Sequence, residues 1–220
     1  MSVTPESIQE LINSSDYGDR LQGVNQLRQL EPATAFKLIQ PLVQDENARV
    51  RYSAVSMFDT LGQQDLAISS QLLRDRLQKD SEIDVKSAAA DAIAALKITD
   101  AFEELNQAYH ETNEWLLQFS IIAALGEMGD PRSFALIKEA LNSDNSLLQT
   151  AAIGAFGDLG DSRAVSELIP FVNNEDWQIR DRLAKSLGRL GGTEAKSALE
   201  QLAQDQVEQV AQEAKRGLAA

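Results

Sequence analysis

One spacing decides what this chain can fold into. A residue near the start of an apolar stretch recurs as Val50, Val85, Leu117, Leu148, Ile179 and Val210, with Asp19 in register ahead of them. The gaps are 31, 35, 32, 31, 31 and 31 residues. Such a period means a stack of similar supersecondary units, each unable to bury its apolar face without its neighbours. The functional question then moves from a single catalytic pocket to the surface that runs along the stack.

The copies Val50 to Gly62 and Leu148 to Gly160 read most clearly, and Leu117 to Gly129 and Ile179 to Gly191 match them. Counting the first residue as zero, apolar or small side chains fall at 0, 3, 4, 7, 8 and 11. That is one stripe of an α-helix, not the alternation of a strand. The closing glycines at 62, 129, 160 and 191 are expected to stop the helix in a left-handed conformation. A second apolar helix precedes each copy, as in Pro32 to Gln44, Pro131 to Asn142, Ser162 to Asn173 and Thr193 to Gln204. Asp45, Asp80, Asp144 and Asp205 mark the tight turn between the paired helices, where a short acidic side chain can cap free N–H groups. Pro41 and Pro170 both stand nine residues before the zero position of their repeats, so both first helices should bend there.

The pattern predicts helices over 4–14, 18–30, 32–44, 47–61, 64–79, 82–97 and 99–111. It predicts seven more over 114–128, 131–142, 145–159, 162–173, 176–190, 193–204 and 206–219. Thr4-Pro5-Glu6 opens the first as N-cap, first helical residue and acidic first turn. The polar face of the last, with Glu208, Gln212 and Lys215, suits a cap against water. The 35-residue gap is assigned to four extra residues around Gln64 to Ser70. The expected architecture is all-α, an α-solenoid of about seven short helix pairs in one domain over residues 1–220.

Composition narrows the function classes. With no cysteine, disulfides, thiolate metal sites, thiol catalysis and thioether-linked cofactors are excluded, and a reducing cytoplasm is the expected setting. A formal charge of −14 opposes nucleic-acid binding, which normally needs a basic stripe. No apolar run is long enough to cross a bilayer, and the start lacks the basic-then-apolar order of a signal peptide.

Val-Arg-x-x-Ala at the second helix and Leu-Gly-x-Leu-Gly-Asp at its end carry a family resemblance. It is seen best in Asp45 to Arg51, Ala124 to Arg132 and Asp158 to Ala164. The chain resembles the short HEAT-like repeats of the phycobilisome lyase family over nearly its whole length. Its length and uninterrupted repeats are most similar to the members that act in phycobilisome disassembly, and two-subunit phycocyanobilin lyases come next. The resemblance implies phycobiliproteins as partners, a role in loosening antenna packing, presenting it to a protease or holding released chromophore, and location in the cytoplasm beside phycobilisomes. No cofactor is required by it, although phycocyanobilin held non-covalently fits it. It supplies no catalytic signature that maps onto residues here, so a non-catalytic adaptor leads. A bilin lyase or isomerase subunit, attaching or detaching chromophore, and a generic protein-binding scaffold are the alternatives.

Two columns on the second helices are candidate partner-binding positions. Offset +5 reads Val24, Val55, Ala90, Ile122, Ile153 and Ala184; offset +2 reads Leu21, Tyr52, Ser87, Phe119, Thr150 and Asp181. If exposed, Tyr52, Val55, Phe119, Ile122 and Ile153 form an apolar concave strip. Offset +1 would edge it with Arg51 and Arg180, ready for carboxylates on a protein or on bilin propionates. Two bland readings compete: curvature buries the columns between repeats, and the arginines pair with turn aspartates as a structural ladder. Trp115 and Trp177, both two residues before a zero position, either cover the turn between paired helices or anchor a partner. The lone His110 reads as a satisfied surface residue, and no metal or catalytic site is assigned.

Overall fold

The computed structural model describes residues 3–219, and fifteen α-helical segments and no strand occur among them. They cluster into two compact units, Met1–Ile121 and Ile122–Ala220, whose boundary falls inside the ninth helix.

The first unit begins with α1 (Pro5–Ile12) and α2 (Tyr17–Gln26), then α3 (Pro32–Ile39), α4 (Ala48–Ser56) and α5 (Phe58–Leu61). It continues through α6 (Leu66–Lys79), α7 (Ile83–Ala95) and α8 (Phe102–Glu111) into the start of α9 (Trp115–Met128). The second unit holds the rest of α9, then α10 (Phe134–Leu141), α11 (Ser146–Leu159), α12 (Ala164–Leu168), α13 (Trp177–Leu190), α14 (Thr193–Leu202) and α15 (Glu208–Ala219).

Each expected helix is present. The one addition is a break at Met57, whose N–H closes a tight turn onto Ala54 and divides α4 from α5. Thr4 caps α1 through a reciprocal exchange with Ser7. At Pro41 and Pro170 the α-helix gives way to 3₁₀ turns, Gln40–Gln44 and Ile169–Phe171, because proline supplies no N–H to the helical ladder. The four extra residues of repeat three lengthen α6 to 14 residues, about one turn more than α8 and α14, the next longest first helices at 10 residues each.

The second helices stack on one another. In the first unit α4 lies between α2 and α7, and in the second α13 lies between α11 and α15. Small residues let them approach closely: Ala88, Ala89, Ala90, Ala92 and Ala94 of α7 are all buried. In the second unit the approach reaches backbone. A Cβ on Gly157 would lie 2.8 Å from Ser186 Cα, and one on Gly188 2.9 Å from Gly217 Cα.

Three of the four closing glycines take the positive φ that favours glycine, +74° at Gly129, +72° at Gly160 and +65° at Gly191. Gly160 is the left-handed cap expected, whereas Gly191, with ψ of −165°, turns the chain in an extended conformation. Gly62 is the exception. Its φ is −63°, and it starts the 3₁₀ turn Gly62–Gln64. Glycine is needed there for space, since a Cβ would come 2.5 Å from Leu96 Cδ1.

One turn motif recurs in all seven repeats. The side-chain oxygens of Ser14, Asp45, Asp80, Thr112, Ser143, Asn174 and Asp205 each accept the N–H two residues ahead. Asp144 stands one residue out of this register, and Ser143 takes the place assigned to it.

Candidate functional site

The arginines of offset +1 are structural. Arg51 donates from Nε and Nη2 to the two oxygens of Asp80, each at 2.8 Å, and from Nη1 to the carbonyls of Asp45 and Glu46. Arg20 repeats this on Asp45, and Arg180 on Asp205. Each arginine therefore ties the turn of its own repeat to the turn of the next. Burial is the largest single effect on Asp45 and Asp80 and works against their charges, but the Arg20 and Arg51 hydrogen bonds, the backbone N–H of the turn and the nearby cations together outweigh it and hold both carboxyls below their ordinary range. At Asp205 the Arg180 hydrogen bonds are the larger effect, with the same result. Arg51 and Arg180, expected as a basic edge for a partner, have their guanidiniums committed to these rungs. Lys86, Gln118 and Gln149 occupy the same offset without an aspartate facing them.

The +5 column is core. Val24, Val55, Ala90, Ile122, Ile153 and Ala184 are all fully buried. The expected apolar strip thus loses Val55, Ile122 and Ile153. A second helix is covered by the flanking second helices as well as by its own first helix, so its buried arc extends beyond the stripe a lone amphipathic helix would need. Of the five strip residues Tyr52 is exposed, at 48%, and Phe119 is half-buried.

A cleft of about 440 Å³ opens beside Tyr52, entirely within the first unit. Ala48, Arg49 and Tyr52 of α4 form one wall. Glu82 and the α7 residues Asp84, Val85, Ser87, Ala88 and Asp91 form the floor, and Leu116 and Ser120 of α9 close it. Asp84, Ala88 and Asp91 stand at i, i+4 and i+7, so α7 presents two carboxylates on one face with a small apolar residue between them. Leu116, 36% exposed, meets the opening from α9, and the adjoining Trp115 is 47% exposed. Ser87 is only 7% exposed, and its hydroxyl has no hydrogen-bond partner.

Of the candidate columns, Tyr52 and Ser87 of offset +2 line this cleft, and of the five strip residues Tyr52 alone does. Leu116, Glu82, Asp84 and Asp91 did not stand out in the sequence, although the carboxylate spacing on α7 and the exposed −1 column of Arg49, Asp84 and Leu116 were legible signals. Trp177 is also part-exposed, at 38%, at the start of α13. His110 Nδ1 lies 2.8 Å from the Asn106 carbonyl oxygen of its own helix, and its ring packs edge-on against Tyr109. Among the described residues, no group of three His, Asp or Glu side chains is placed to hold a metal, and no helix is long and apolar enough to cross a membrane.

The HEAT repeats sequence family matches residues 4–94, 70–155 and 135–219. This chain belongs to the HEAT-repeat family. No curated protein matches it by sequence. Among solved structures, this HEAT-repeat chain is similar to the complex of CpcE and CpcF of phycocyanin lyase from Nostoc sp. PCC7120. That likeness has 21% identity and a TM-score of 0.66, and covers 100% of this chain and 95% of that one. It is also similar to the Escherichia coli protein YibA, at 17% identity and TM-score 0.68 over 98% of this chain and 81% of that one. Kap121p matches at 15% identity and TM-score 0.67, over 84% of this chain and 23% of its own length. At these identities the likeness is one of fold.

Proposed function

We propose that this HEAT-repeat chain is a non-catalytic adaptor of phycobilisome disassembly that grips phycobiliproteins through the Tyr52 cleft and delivers them to a protease. The observation that carries the reading is the match with the phycocyanin-lyase complex, end to end on both chains. HEAT repeats offer long helical surfaces suited to protein partners. The cleft, with exposed Tyr52 and Leu116 among polar neighbours, has the apolar-anchor and polar-rim composition that such interfaces use. On this reading the chain acts in the cytoplasm at the antenna, needs no cofactor, and resembles the cyanobacterial phycobilisome degradation protein.

Immobilised chain should retain phycocyanin from a cyanobacterial lysate, and Tyr52→Asp should release it while circular dichroism stays unchanged. Retention by neither form would refute the adaptor role.

The same likeness favours one second reading, a subunit of a phycocyanobilin lyase or isomerase acting on the chromophore. Added phycocyanobilin separates the two. A chromophore handler shifts its absorbance and moves it on or off apo-phycocyanin, whereas an adaptor leaves the spectrum alone.

A further inference from the structure

We infer that the Tyr52 cleft is a socket for a cationic protein segment, one that inserts an aliphatic or aromatic anchor with a lysine or arginine beside it. The inference rests on the proposed gripping role and names the partner chemistry of that site. Charge points first. Glu82 and Asp84, both exposed, line the opening with Arg49 as the one cation of the lining, so the lining is net acidic. Like charge across a contact disfavours a partner, so an anionic occupant such as a bilin with its propionates is selected against and a cationic one is drawn in.

Shape points the same way. The cleft, about 440 Å³, has room for a few side chains, and the exposed Tyr52 and Leu116 give its lining apolar surface. That suits an anchor side chain projecting from a longer segment, as when an amphipathic helix lays its apolar face on a groove. The Ser87 hydroxyl is an independent sign. It lines the cleft, is more than nine-tenths buried, and is unpartnered. A buried hydroxyl without a partner is costly, and a donor or acceptor on an inserted segment would satisfy it.

The test uses the full chain and two synthetic helical peptides. Both carry a leucine stripe at i, i+3, i+4 and i+7; one is flanked by lysines and its twin by glutamates. The lysine peptide should bind, read by tryptophan fluorescence and calorimetry, and its affinity should fall as salt rises. The double variant Glu82→Lys/Asp84→Lys changes two exposed positions, so the fold should stand while affinity drops by at least ~10-fold. Ser87→Ala should weaken binding by a few-fold. The inference is overturned if the glutamate twin binds equally, if the lysine peptide does not bind, or if charge reversal leaves its affinity unchanged. Displacement of the peptide by phycocyanobilin overturns it too, because the cleft would then be a chromophore site. Phycocyanin retention unaffected by charge reversal removes the socket while leaving the adaptor role. Peptide binding by a chain that retains no phycocyanin removes the adaptor role while leaving the socket.

Discussion

Arg51 and Asp80 close a two-bond fork across neighbouring repeats, with both N–O distances at 2.8 Å and the Asp80 side chain wholly buried. The same aspartate accepts the N–H of Glu82 in its own turn, and Arg76 adds a third cation contact at 3.3 Å. Asp80 therefore couples three elements: the helix that carries Arg51, the end of α6 and the turn into α7.

Removing one partner of such a buried pair strands the other's charge. Asp80→Ala should cost about 3–5 kcal/mol, whereas Lys185→Ala on an exposed face should stay within roughly 0.5 kcal/mol. Denaturant midpoints measure both. Equal sensitivity would mean the rung carries no stability.

The rungs also set the acid response. The carboxyls of Asp45, Asp80 and Asp205 sit below their ordinary value of 3.8 in the folded chain. A group depressed in this way contributes its full stability above the unfolded value and loses it as pH falls through the folded one. Stability should therefore hold from neutral pH down to about 4–5 and drop steeply below, as followed by helicity during acid titration. Asp181 has the opposite sign. Burial, then the nearby Glu213, raise its pKa, so its charge opposes folding at neutral pH. Asp181→Asn should raise the midpoint at pH 7, and the gain should vanish in acid.

Close helix approach in the second unit makes glycine substitutions diverge. Gly188→Ala would push a Cβ to 2.9 Å from Gly217 Cα, against backbone that cannot swing aside, and should destabilise by about 1–3 kcal/mol. Gly154→Ala meets only the flexible Arg182 side chain, at 3.4 Å. It should gain about 0.5–1 kcal/mol, because alanine is the better helix residue. Thermal melts of the two variants should move in opposite directions.

The buried column supplies a fourth test. Val55→Asp and Ile153→Asp place an unpaired charge in the core and should abolish cooperative unfolding, while Phe156→Ala should cost about 3–5 kcal/mol and leave the chain folded. A soluble, fully helical Val55→Asp variant would show that the column faces water after all.

The period, the helix pairs, the capping turn and the two proline breaks were all legible in the sequence, because each depends on neighbours within one or two helical turns. The arginine–aspartate rungs were legible as one of two readings. Nothing in an isolated helix says whether Arg51 reaches solvent or an aspartate 29 residues ahead. Only the tertiary structure decided that Val55, Ile122 and Ile153 are core, since burial at that offset comes from neighbouring helices and not from the residue's own stripe. It alone decided that Gly62 serves packing rather than a left-handed turn. The cleft is tertiary too. Its walls come from three helices at residues 48–52, 82–91 and 116–120, and what the sequence scatters over some seventy positions becomes one acidic opening only when those helices stack.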